Sequence, residues 1–167
     1  MVNPRKTLLI VWHSQTGGTR QMAEAARAGA AADGECEVRL LHAADAGPED
    51  VLAADGYLFC TPENLAAMSG QLKDFFDRCY YPALARIEGR PYASLICAGS
   101  DGAGAARQIA RIATGWRLKT VAEPLIVCTH AQTPEAIAAP KVIDAENLAQ
   151  CRALGEALAA GLGMGIY

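Results

Sequence analysis

Thr7–Trp12 reads TLLIVW and runs directly into His13-Ser14-Gln15-Thr16-Gly17-Gly18-Thr19. An unbroken apolar run of strand length, without alternation, is what a strand buried on both faces requires. The Gly17-Gly18 pair turns the chain. From Thr19 to about Ala32, Met22, Ala26 and Ala30 recur at every fourth position, which predicts a helix that Asp33-Gly34 stops. A buried strand, a glycine turn and a helix form the first unit of an α/β fold.

The rest of the chain repeats that alternation. Residues 37–41 alternate Val38 and Leu40 with Glu37 and Arg39, predicting a half-exposed strand at a sheet edge. Residues 48–52 form a short helix or turn, and residues 57–60 a second fully apolar strand. Ser69 opens a helix whose Leu72, Phe75, Phe76 and Cys79 make one buried stripe. Residues 92–98 form another buried strand, and Ile109, Ile112, Ala113 and Trp116 a further helical stripe. Leu125–Cys128 is the last strand, and a final helix runs from Asp144 to about Leu162 with Leu148, Cys151, Leu158 and Leu162 inward. The expectation is α/β: an open five-stranded parallel sheet, order 2-1-3-4-5, with helices on both faces. In that order ligands bind beyond the carboxyl ends of the strands, at the switch point between the first and third.

The chain has 167 residues, which suits a single domain of residues 1–167. Its apolar fraction of 51% and charged fraction of 20% exclude a disordered chain. No apolar run approaches the length of a membrane span, and the start of the chain lacks a signal-peptide core, so a cytoplasmic location is expected. A net charge of −3 argues against a nucleic-acid partner. Cys36, Cys60, Cys79, Cys97, Cys128 and Cys151 form no CxxC pair, and no histidine stands at metal-ligand spacing from them. They read as small buried hydrophobes in a reduced compartment, with no metal site.

Three loops converge at the carboxyl end of this sheet. The first, residues 13–19, holds hydroxyls and two glycines, with no carboxylate and no lysine. Its hydroxyls and backbone amides, with the positive end of the following helix, suit a phosphate monoester. It is neither a Walker loop nor GxGxxG. The second runs from Thr61 to Met68. There Pro62 stiffens the exit from the strand, Asn64 can read a polar ring edge, and Leu65 and Met68 offer apolar contact to a flat ligand. The third, residues 99–104, carries three glycines that permit close backbone approach. One phosphate site beside two small-residue loops fits a phosphorylated planar cofactor.

On these residues the chain resembles the flavodoxin-like superfamily. Ser14-Gln15-Thr16-Gly17-Gly18-Thr19 matches the phosphate-loop form [ST]-x-T-G-x-T, and Met68-Ser69-Gly70-Gln71-Leu72-Lys73-Asp74-Phe75-Phe76-Asp77 is similar to the M-S-G-x-x-K-x-F-x-D pattern of NAD(P)H-dependent FMN or quinone reductases. Flavodoxin with its FMN is the standing example of the switch-point rule. The resemblance implies that Ser14, Gln15, Thr16, Gly17, Gly18 and Thr19 hold the FMN phosphate. It implies that Thr61, Pro62, Glu63, Asn64 and Leu65 line the isoalloxazine ring, and that Ser100, Asp101 and Gly102 approach its pyrimidine side. Family members often carry a glycine or an aromatic residue where Leu65, Ala66 and Ala67 stand here.

Three functions compete. Carrier flavodoxins are strongly acidic and sandwich the ring between aromatics, whereas residues 61–68 and 99–104 contain no Trp, Tyr or Phe. An uncovered ring face leaves room for NAD(P)H as electron donor and for a small-molecule acceptor such as a quinone. The alternatives are a one-electron carrier and a non-redox binding module of the same fold. A response regulator is a poor fourth, because the acidic cluster expected after the first strand is missing. His13 and His130, at strand ends, read as loop or capping residues that could otherwise protonate a quinone, and His42 as structural. Trp12 and the pair Tyr80-Tyr81 read as packing residues, and Arg107, Arg111, Arg117 and Lys119 as a solvated face. No catalytic side chain stands out. The apolar tail, residues 161–167, suits a homodimer contact.

Overall fold

A computed structural model describes residues 3–167. In chain order the elements are β1 (Thr7–Trp12), α1 (Gly18–Ala31), β2 (Glu37–His42), α2 (Pro48–Ala53), β3 (Gly56–Asn64), β4 (Ala67–Met68) and α3 (Gly70–Ala83). Then follow β5 (Pro91–Ala98), α4 (Ala103–Gly115), β6 (Lys119–Thr120), β7 (Leu125–Cys128), α5 (Pro134–Ala138) and α6 (Ala145–Gly163). Strands β2, β1, β3 and β5 lie side by side, all parallel. β6 pairs with the start of β5 and β7 with its end, so the two are halves of one fifth strand. Pro124 lies in the break, where its missing N–H removes a ladder bond. The expected order 2-1-3-4-5 therefore holds, with the fifth strand in two pieces.

The pleat of β1 distributes its side chains to two cores. Leu9 and Val11 join Tyr57, Phe59, Phe75, Phe76, Ile109 and Trp116 under α3 and α4. Leu8 and Ile10 join Met22, Ala26, Leu58, Cys60, Cys97, Cys151 and Leu158 under α1 and α6. Burial on both faces explains the absence of alternation in TLLIVW. Trp12 differs from the expected core residue. It is half-buried at the rim of the second core, with its ring edge-on to His42 at 4.8 Å and Arg20 above it at 5.8 Å. Ser69 and Asp144 cap α3 and α6, each accepting the amide three residues on. Among the described residues no helix is long and apolar enough to cross a membrane.

Two glycines let α1 and α6 touch. A Cβ on Gly155 would meet the carbonyl of Ala26, and one on Gly29 the carbonyl of Arg152. Helix α6 packs on α1, which carries the loop at its amino end, so this contact bears on the site. Gly155→Ala is expected to cost about 2 kcal/mol, since overpacking outweighs the better helix propensity. That lowers Tm by roughly 4–8 °C in a chain of this size. Gly70→Ala, where an added Cβ meets nothing within 4 Å, is the control and leaves Tm unchanged or slightly raised in thermal denaturation.

Candidate functional site

The carboxyl ends of β1, β3, β5 and β7 surround a cleft lined by Ser14, Gln15, Thr16, Gly18 and Thr19, by Pro62, Glu63 and Asn64, and by Cys97, Ala98 and Gly99. Thr129, Ala131, Ile137 and Lys141, from the segment between β7 and α6, complete its wall. It lies at the switch point, with β2 and β3 on opposite sides of β1.

The first loop forms a cradle. Gly17 has φ +95, a left-handed conformation that a side chain would strain, and its amide donates to Ser14 Oγ at 3.0 Å. Gly18 is needed for space instead, since a Cβ there would lie 2.6 Å from Cys97 Sγ. Gly18 and Thr19 occupy the first turn of α1, whose amides have no intrahelical acceptor. Thr19 is 1% exposed, and its Oγ1 has no hydrogen-bond partner although the residue lines the cleft. A buried hydroxyl without a partner costs about 1–3 kcal/mol. An anion in the cradle would satisfy it together with the free amides, so these residues fit a phosphate group.

The second loop is not a loop. β3 continues through Pro62 to Asn64, turns at Leu65-Ala66 and returns as β4, with Asn64 opposite Ala67. Pro62 is tolerated there because β1 ends opposite Cys60, leaving that side of β3 without a strand partner. Leu65 and Ala66 have φ 51 and 63, the two-residue hairpin turn that normally takes Asn-Gly. Leu65 is fully exposed at the tip and outside the cleft lining. Thr61 is fully buried, and its hydroxyl accepts the Ser69 amide at 3.0 Å, so it anchors α3 and does not face the cleft. Met68 is also turned into the core, under α3 and α4.

The hairpin is tied to α4. Glu63 accepts the amides of Gly102 at 2.9 Å and Ala105 at 3.1 Å, placing a carboxylate on the helix's amino end. Gln108 Oε1 accepts the Met68 amide at 2.8 Å, and Gly104 leaves room for the Ala66 carbonyl. Gly102 and Gly104 thus serve the hairpin, while Gly99 lines the cleft. Ser100 and Asp101 lie outside the cleft lining, and the Gly102 amide is spent on Glu63.

Of the three histidines, His13 is buried, and its Nδ1 has no partner. Burial, and then neighbouring His42, holds its pKa below the ordinary value. Its ring lies 5.7 Å from that of His42 and outside the cleft lining, whereas His130 is exposed. Tyr80 stacks on Trp116 at 5.8 Å, and Tyr81 is exposed. Cys97 lines the cleft as a protonated thiol, since burial raises its pKa.

The contribution of residues 129–143 is invisible to a local reading of the phosphate loop. Thr133-Pro134, a helix cap followed by proline, is the one signal that marks α5. Nothing local announces that the Lys141 amide reaches the Thr16 carbonyl at 2.9 Å.

A family model described as NADPH-dependent FMN reductase matches residues 47–133, just over half of the chain. A curated flavodoxin from Aquifex aeolicus (strain VF5) is 35% identical over 97 residues, 58% of this chain and 52% of its own length. The chain thus spans about half the length of that relative. Among solved structures, a flavodoxin from the domain Archaea superposes with a TM-score of 0.75 at 17% identity, covering 93% of this chain and 98% of its own. A flavodoxin described as WrbA-like, from Agrobacterium tumefaciens, gives 0.71 at 19% identity, covering 95% and 98%. At such identities these structures speak for the fold.

Thr19→Val removes the unpartnered hydroxyl while keeping the side chain's shape. The free protein is expected to gain up to about 1 kcal/mol in thermal denaturation, while affinity for a phosphate monoester falls about tenfold. Glu63→Gln removes the charge from the amino end of α4 but keeps one acceptor. It is expected to cost about 1 kcal/mol in urea denaturation, and Glu63→Ala about 2–3 kcal/mol.

Proposed function

We propose that this chain, which belongs to the NADPH-dependent FMN reductase family, is an FMN-binding oxidoreductase that moves electrons from NAD(P)H to a small acceptor such as a quinone. The observation that carries the reading is the Thr19 hydroxyl, buried and unpartnered in a cradle at the amino end of α1. A phosphate monoester supplies acceptors for that hydroxyl and for the free amides of the first helical turn. Ser14, Gln15, Thr16, Gly17, Gly18 and Thr19 would hold the phosphate, and Pro62, Glu63, Asn64 and Gly99 would flank the flavin ring.

When bound, FMN supplies two-electron chemistry between nicotinamides and organic acceptors. The protein's task is orientation. The amino end of α4 is filled by Glu63, so the α1 cradle is the anion site that remains, which favours a mononucleotide over a dinucleotide. Pro62 and the hairpin tied to α4 give a rigid flank on one side. The absence of Trp, Tyr and Phe from residues 61–68 and 99–104 supports an uncovered ring face on which a nicotinamide or a quinone can stack. Ser100, Asp101, Leu65 and Thr61 have no direct role in this reading.

A second reading, a one-electron carrier, is favoured by the curated relative's name of flavodoxin. The lack of aromatic residues in 61–68 and 99–104 counts against it, because carrier flavodoxins cover the ring with aromatics.

Titration with FMN, followed by flavin fluorescence and the visible spectrum, tests the reading. Saturable binding is expected, weakened about tenfold in Thr16→Ala by loss of a charge-assisted hydrogen bond. NADH or NADPH should then bleach the bound flavin in a single two-electron phase, whereas no bleaching by either, with reduction by dithionite in two separate one-electron steps, would favour the carrier. No binding at high micromolar FMN would overturn both in favour of a non-redox module.

A further inference from the structure

We infer that Lys141 is the residue by which this cleft distinguishes the phosphorylated flavin from its phosphate-free form, a proposal that rests on the FMN reading above. The phosphate loop brings no cation of its own. Among the residues lining the cleft, Glu63 and Lys141 alone carry charge, and the Glu63 carboxylate is turned to the amino end of α4. Lys141 arrives from the segment between β7 and α6, far along the chain from the loop it faces.

Its position is held at both ends. The backbone is stapled to the loop: the Lys141 amide donates to the Thr16 carbonyl at 2.9 Å, and Gln21 Nε2 donates to the Lys141 carbonyl at 2.7 Å. Gln21 Oε1 also accepts the Ile143 amide at 3.0 Å, and Nε2 donates to the Gly17 carbonyl at 3.0 Å. Gln21 thus clasps the 141–143 backbone to the start of α1. The stem passes over the first residue of that helix, with Lys141 Cβ 3.4 Å from where a Gly18 Cβ would stand.

The ammonium donates to the carbonyls of Ala136, at 2.8 Å, Ile137, at 2.9 Å, and Ala139. All three acceptors are neutral, and no carboxylate pairs with Lys141 among the described residues. The charge is therefore fixed at the carboxyl end of α5, without a carboxylate partner, on a residue that lines the cleft. It is felt at Cys97 in the cleft, where it opposes the effect of burial on the thiol. An uncompensated cation near the rim attracts a phosphate dianion across several ångströms and leaves an uncharged ligand largely indifferent. The same ammonium closes the end of α5, so charge and scaffold must be separated by experiment.

Binding of FMN and of riboflavin is measured by fluorescence titration for the unaltered chain, Lys141→Gln, Lys141→Met, Lys141→Arg and Gln21→Ala. Lys141→Gln keeps N–H donors for the carbonyls and loses the charge. It is expected to weaken FMN about tenfold and riboflavin less than about twofold, with Lys141→Arg restoring most of the loss. The FMN difference should shrink at about 0.5 M salt, as a partly exposed charge requires. Gln21→Ala, which opens the clasp and keeps the charge, should weaken both ligands alike. Equal losses of FMN and riboflavin in both Lys141→Gln and Lys141→Met would make Lys141 a scaffold residue and overturn the inference. FMN binding unchanged in Lys141→Gln would overturn it too, with the FMN reading intact. Failure of the unaltered chain to bind FMN would remove the FMN reading itself, and this inference with it.

Discussion

The carboxylate of Glu63 on the amino end of α4 decides where this molecule can accept an anion. Helix α1 begins at the cleft, with Gly18 and Thr19 in its lining, and α4 begins beyond Gly99 at the same edge of the sheet. Left alone, both would be anion sites. The chain fills the amino end of α4 with its own side chain, whereas the Thr19 hydroxyl at the amino end of α1 is buried with no protein partner. The same carboxylate fixes the β3–β4 hairpin and so makes one wall of the cleft rigid.

Much of the fold was legible in short-range pattern. TLLIVW, the alternation of residues 37–41, the stripe of Leu72, Phe75, Phe76 and Cys79, and the caps Ser69 and Asp144 each report a local environment, and each lies where that pattern placed it. The hairpin was not legible, because its two left-handed positions are held by Leu65 and Ala66, which carry no turn signal and cost about 1–2 kcal/mol each. Tertiary contacts with Glu63, Gln108 and Gly104 outweigh that local preference. The same hairpin turns Thr61 and Met68 into the core and carries Leu65 to its exposed tip. In an extended hairpin successive side chains alternate between faces, and an eight-residue loop obeys no such rule.

The site was legible in part. The cradle follows from glycine and hydroxyl spacing, which is local chemistry. Lys141 and Gln21 enter through contacts between distant stretches, and no spacing within either stretch encodes the other. Two of the glycines of residues 99–104, Gly102 and Gly104, show the converse case. Their composition suggested close approach to a ligand, and the close approach is real, but the visitor at Gly104 is the Ala66 carbonyl.

The interrupted fifth strand has a consequence for the sheet's outer margins. An exposed strand edge is a template on which another chain can polymerise. Here one margin is cut at Pro124 into pieces too short to template a partner, with exposed Lys119 and Thr120 on the shorter one. The opposite margin, β2, carries Glu37 and the Arg39–Asp50 ion pair at 2.8 Å. Both borders are thus blunted against edge-to-edge aggregation.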